Sequence, residues 1–302
     1  MDKPDTKNMT PTKFKGFTIY TSPELQKVLI DVFSSNTIMQ KNVEALKTLI
    51  EKNYIVFGYS KKSLFSKIMN KVYPLRKTFD SECLFLPKAN KIVIVANKVM
   101  DESNLKIYKP DLLVDIFLHE FSHFIAKNFR KEFSGVVYQS YFKFMAAVIA
   151  YLFGVKNFSY FKSRHLNLLV KLIIKREVKK LTIKKVMKLY SNNVTKHFIS
   201  NSVYSKEEIE KRWKELQNAL ALYVTQGDSF VFVYSNIKQK SPYIHEAIVS
   251  GYKVLGLAPQ YYANNILVQE YLFPSEVLAN LWQGGKELSL VSPLIQFTSR
   301  KL

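Results

Sequence analysis

Cysteine occurs once in 302 residues, at Cys83. That excludes an intramolecular disulfide and a cysteine-rich structural metal site, and it fits a reducing compartment. Histidine is also scarce, at five, so any metal site must draw on these few imidazoles and on carboxylates. Acidic residues are under-represented: 24 Asp and Glu stand against 45 Lys and Arg, a formal charge of +21. A surplus of this size attracts polyanions such as nucleic acid or anionic lipid, without naming which. Internal repeats, low-complexity tracts and a glycine-rich phosphate loop are all missing. The opening MDKPDTKNMTPTKFKG lacks the apolar core of a secretory signal, which predicts a cytoplasmic protein or one packaged in a viral or other particle.

What the chain does have is 47% hydrophobic and 14% aromatic residues, a globular composition. Its most informative stretch is Asp111 to Arg130, DLLVDIFLHEFSHFIAKNFR. The stretch is apolar nearly all round and reads as a buried helix. Within it lies His119-Glu120-Phe121-Ser122-His123, an H-E-x-x-H pentapeptide. Residues four apart share a helix face, so His119 and His123 can offer imidazole nitrogens to one Zn²⁺, with Glu120 beside the open side as general base. An ionised carboxylate among Phe and Leu is costly without a partner, which argues against an accidental motif.

Upstream, residues 1–13 read as a flexible polar arm. Ser22-Pro23 opens a helix, and a second helix covers about Ile38 to Lys52. Tyr54 to Tyr59 reads as a strand and Lys61 to Asn70 as a short basic helix. Cys83–Leu86 and Ile92–Ala96 read as a β-hairpin leading to the His helix. Residues 14–110 thus form an N-terminal half with helices and hairpin, and residues 111–302 a helical half.

Downstream, Phe133 to Val155 carries a single charge, Lys143. It is long enough to span a bilayer, although Gln139, Ser140 and Lys143 favour a buried core helix. Lys171 to Tyr190 is a basic amphipathic stretch able to face phosphates or anionic lipid, although a solvated helix face with a packed apolar side is the favoured reading. Helices are predicted over Lys206 to Leu222, Pro242 to Leu257 and Pro259 to Gln269, a strand over Phe230 to Tyr234, and a last long helix from Pro274.

Two histidines need a third protein ligand. Glu246, Glu270 and Glu276 all lie in the C-terminal half. At this point the chain resembles the gluzincin branch of the zincin metallopeptidases, whose third ligand sits in a helical E-x-x-A-D/E pattern: Glu276-Val-Leu-Ala279-Asn280 matches its first four positions. The metzincin continuation is missing, because Ala126 and Phe129 stand where that pattern has Gly and His. The resemblance covers about a tenth of the chain. It implies an α+β, helix-rich zincin-like domain with a small sheet before the His helix, one Zn²⁺ per chain on His119, His123 and Glu276 (Glu246 as the alternative), and hydrolysis of peptide bonds with Glu120 as base. Asn280 replaces the acidic residue that orients a ligating histidine, and its amide oxygen would do so more weakly. An oxyanion donor is also implied; Tyr271 is named first, with Tyr262, Tyr243 and His245 in the same region. The competing expectation is a structural or packaged particle protein with a zincin-like fold and a basic surface for nucleic acid or neighbouring subunits.

Overall fold

The computed structural model describes residues 10–14, 17–62, 82–87, 89–101, 106–155, 164–179, 202–225, 242–257 and 272–302. Strands β1 (Thr10–Phe14) and β2 (Phe17–Thr21) come first. Helix α1 (Pro23–Ser35), a 3₁₀ turn (Gln40–Asn42), α2 (Val43–Glu51) and β3 (Ile55–Lys62) follow. The hairpin β4 (Cys83–Leu86) and β5 (Lys91–Val95), the single turn α3 (Ala96–Val99) and the two-residue strands β6 (Met100–Asp101) and β7 (Lys106–Ile107) lead to α4 (Pro110–Asn128). The remaining described elements are helical: α5 (Arg130–Phe153), α6 (Arg164–Lys179), α7 (Lys206–Thr225), α8 (Pro242–Val254), α9 (Pro274–Gln283) and α10 (Leu288–Lys301). The protein is therefore helix-rich with a small sheet.

The chain divides into two units, Met1–Asn128 with Trp282–Leu302, and Phe129–Leu281. The His helix α4 packs on the hairpin and lies with it in the first unit.

In the first unit the sheet order is β1-β2-β3-β5-β4. Pairing is antiparallel except for β3 with β5, which run parallel with Ile55 opposite Ile92 and Gly58 opposite Val95. Ile55, Val56 and Phe57 on β3, and Ile92 to Val95 on β5, are all buried, the continuous apolar run expected of strands covered on both faces. Helix α1 starts as predicted: Ser22 Oγ accepts the Leu25 N–H at 3.3 Å and Pro23 occupies the first helical position. Its Phe33 meets Phe117 of α4 at 4.9 Å between ring centroids. Thr10–Phe14, placed largely in the flexible arm by sequence, pair with β2 instead. The basic helix expected from Lys61 begins inside β3, and its residues from 63 onward lie outside the described residues.

Two helices, rather than one, close the chain. Gly284 and Gly285 end α9, with Gly285 at φ +70°, the left-handed region that suits a helix stop. Helix α10 then runs through Pro293, which costs it one backbone hydrogen bond and hid it from the sequence reading. Ser292 Oγ donates to Asn42 Oδ1 at 2.9 Å, tying α10 to the 3₁₀ turn.

In the second unit α5 is the central helix. Among the described residues it alone is long and apolar enough to cross a membrane, yet 67% of its most apolar window is buried in protein. Gln139 and Lys143 emerge on its exposed side. Helix α8 approaches it closely at Gly251, where a Cβ would sit 2.6 Å from the Phe144 ring. The described part of α6 is amphipathic, with Leu169, Val170, Ile173 and Ile174 buried and Lys171 and Lys175 exposed. The rest of the basic stretch, from 180 to 190, lies outside the described residues, as do the strand and helix expected at 230–234 and 259–269.

Candidate metal centre

Helix α4 sets the geometry. Pro110 stands at its start with Asp111 in the first turn and Lys127 in the last, an arrangement that complements the helix dipole. Strand β4 lies alongside it and runs in the same direction. Phe85 meets Phe124 edge-on at 5.7 Å, and the Lys127 ammonium donates to the Pro87 carbonyl further along. Leu113, Val114, Phe117, Leu118, Phe121, Phe124 and Ile125 are buried, so the helix is fixed by its apolar positions while His119, Glu120 and His123 keep some accessible surface.

The two histidines converge. Their Nε2 atoms are 3.3 Å apart, with ring centroids at 5.1 Å and planes at 68°. Zinc–nitrogen bonds of about 2.0–2.1 Å in a tetrahedral site place neighbouring ligand atoms roughly 3.4 Å apart. His119, His123 and Glu276 form a group whose ligand atoms all lie within 4.8 Å of one another, close enough to hold one metal ion. The donor set fits a divalent metal chemically as well. Burial pushes His119 down to about 4 and, with His119 beside it, His123 down to about 3. Both rings are therefore neutral at ordinary pH, as ligands must be. Two imidazole nitrogens and one carboxylate oxygen is a set that zinc takes when a fourth position stays open.

Glu120 is held from the sheet. The Phe85 N–H donates to its Oε2 at 2.5 Å. Burial raises its carboxyl from 4.5 to about 7, and the Phe85 bond opposes part of that rise. Nearby Cys83 is pushed well above the ordinary thiol range, by burial first and by Glu120 second, so it remains a thiol. Strand β4 is last in the order of the five-stranded sheet among the described residues. Val95 N donates to Glu82 O at 2.8 Å, and by antiparallel alternation Leu84 and Leu86 also face β5, leaving the main-chain groups of Cys83 and Phe85 on the outer side.

The other sequence candidates are distributed elsewhere. Glu246 is exposed on α8, with Oε1 3.6 Å from His245 Nδ1, and is not in the metal-compatible group. The Tyr243 ring stacks on the Arg212 guanidinium at 4.1 Å. Buried His245 makes no hydrogen bond through Nδ1 among the described residues. Glu270, Tyr262 and Tyr271 lie outside the described residues. Asn280, expected to orient a ligating histidine, instead donates through Nδ2 to Tyr252 OH at 3.2 Å. A different residue meets the imidazole: Gln283 Oε1 lies 3.0 Å from His119 Nδ1. Its sequence signal was available, since Gln283 follows Glu276 by two helical turns on the same face. The Phe85 N–H carries no such signal, because every non-proline residue has one.

No protein-family model matches this chain, and no curated protein or solved structure matches it.

Proposed function

We propose that the chain is a zinc-dependent endopeptidase that hydrolyses a protein substrate, built on a zincin-like arrangement with His119, His123 and Glu276 as the metal ligands. The observation that carries this reading is the 3.3 Å approach of two neutral imidazole Nε2 atoms beside a glutamate carboxylate, with Glu120 one residue away on the same helix. When bound, zinc supplies Lewis acidity, polarising a carbonyl and lowering the pKa of water toward neutrality.

The chain's own groups do the rest. Glu120 accepts a proton from the attacking water at a carboxylate oxygen and returns it to the departing amine nitrogen as the C–N bond breaks and the new C–O bond stands. In the metal-free chain burial raises this carboxyl; a bound cation beside it would favour the ionised form that takes the proton. The outer main-chain groups of Cys83 and Phe85 offer an extended peptide a strand to pair with. A substrate carbonyl pairing there competes with Glu120 for the Phe85 N–H, which links docking to release of the base.

Zinc content of purified wild type and Glu276→Ala tests the ligands, with cleavage of denatured casein by wild type and Glu120→Gln alongside. About one zinc per chain, weakened by Glu276→Ala, with cleavage lost in Glu120→Gln, is the expected result. Folded wild type without metal overturns the reading. Metal without cleavage favours the alternative, a particle or structural protein that uses its charge of +21 to bind nucleic acid or other subunits.

A further inference from the structure

Building on the zinc reading above, we propose that Gln283 selects the tautomer of His119 and thereby sets whether the histidine pair is ready to take a metal. A ring that binds metal through Nε2 must carry its proton on Nδ1. Here the Gln283 carboxamide turns Oε1 toward Nδ1 at 3.0 Å. Oxygen only accepts, so Nδ1 holds the proton and the lone pair lies on Nε2, the atom 3.3 Å from His123 Nε2.

A carboxamide has a second state that a carboxylate lacks. Turned by half a rotation about its last bond, Gln283 presents its NH₂ group to Nδ1. The His119 proton then moves to Nε2 and occupies the direction in which a metal would bind. An ionised carboxylate in the same place donates nothing and holds the metal-ready tautomer alone. Gln283 is thus a positioning residue with two settings, acting through His119.

The surroundings place it for this role. Trp282, its neighbour on α9, is fully buried and stacks on Phe121 at 6.4 Å and 28°. Phe121 lies between the two histidines in sequence, so the end of α9 is registered against the metal-facing turn of α4. The Gly284-Gly285 turn then carries the chain away. Asn280 does not compete for the role, since its amide nitrogen is committed to Tyr252.

Two readouts test the proposal, neither of which needs catalysis. In metal-free protein, ¹⁵N NMR of the imidazoles is expected to show His119 protonated on Nδ1 in wild type and in Gln283→Glu, and shifted toward Nε2–H in Gln283→Leu. Chelator competition with zinc alone is expected to give roughly 10- to 100-fold weaker binding in Gln283→Leu and about tenfold tighter binding in Gln283→Glu, with Asn280→Ala close to wild type. A purely structural role would predict no gain in Gln283→Glu. Zinc-binding wild type whose affinity ignores both Gln283 variants overturns this proposal and leaves the peptidase reading standing. Wild type without zinc overturns the peptidase reading, and the NMR arm then decides the tautomer by itself: an unchanged His119 tautomer in Gln283→Leu overturns the proposal.

Discussion

Two polar clusters sit among apolar side chains in this protein, one in each unit, and they are built on opposite principles. In the second unit the buried Arg212 guanidinium lies between the Tyr204 and Tyr243 rings at 4.0 and 4.1 Å, pairs with Glu208 at 2.7 Å and donates to the Leu152 carbonyl at 3.4 Å. Charge, donors and ring faces are matched locally, so the cluster has stability as its output. In the first unit His119 and His123 bring two neutral nitrogens to 3.3 Å, and Glu120 is strained upward in pKa by burial with one backbone donor to help it. That arrangement costs stability unless another group completes it. A cluster that satisfies itself is scaffold, and one whose lone pairs converge is set up to bind.

Mutation should separate the two. The largest effect is expected from His123→Ala, which should weaken zinc at least 100-fold by chelator competition, since one of the three proposed ligands is lost. The thermal midpoint of the metal-free form should hardly fall, because the variant also removes a desolvated ring. Arg212→Ala should do the reverse. Loss of the buried guanidinium from between two rings, with Glu208 left only half-buried, should cost about 2 kcal/mol, read as a lower urea midpoint, while the folded protein keeps its zinc affinity. A drop in zinc affinity in Arg212→Ala with unchanged stability would erase the distinction.

Glu120→Gln sharpens the comparison through pH. The folded state holds the Glu120 proton up to about pH 7, the unfolded state only to about 4.5. Between these values the folded protein binds more protons than the unfolded chain, so metal-free stability falls as pH rises through the window. The full deficit, about 2 kcal/mol after allowing for the solvent that Glu120 retains, is present above pH 7. Gln lacks the charge and can still accept the Phe85 N–H. The variant should therefore be more stable than wild type at pH 8 and equal to it near pH 4.5, by chemical denaturation of metal-free protein. Equal stability at both pH values would mean that Glu120 is better solvated than its surroundings indicate. The smallest effect belongs to scaffold alone: Ser22→Ala removes the cap of α1 and should cost about 1 kcal/mol without changing zinc affinity.

Much of this architecture is readable residue by residue. Ser22-Pro23 announced α1, the apolar runs at Cys83–Leu86 and Ile92–Ala96 announced the hairpin, and the His-Glu-Phe-Ser-His spacing announced a shared face on α4. These signals are local: caps, alternation and the helical repeat act over a few residues. Pairing of Thr10–Phe14 with β2 escaped notice because a short polar strand gains its order from its neighbour. Helix α10 escaped because Pro293 is a penalty that packing against the 3₁₀ turn outweighs.

The sequence by itself determined which atoms are offered for chemistry: two imidazoles four residues apart, a glutamate between them, and a glutamate near the far end of the chain. Only the tertiary structure decided how they are used. It left Glu246 exposed on α8, turned Asn280 to Tyr252, set Gln283 against His119, and gave Glu120 the Phe85 N–H. Helical periodicity fixes neighbours within a turn or two, whereas partners 28, 35 and 164 residues apart are chosen by how whole elements pack. Burial, which moves the pKa values of His119, Glu120 and His123, exists only after that packing is complete.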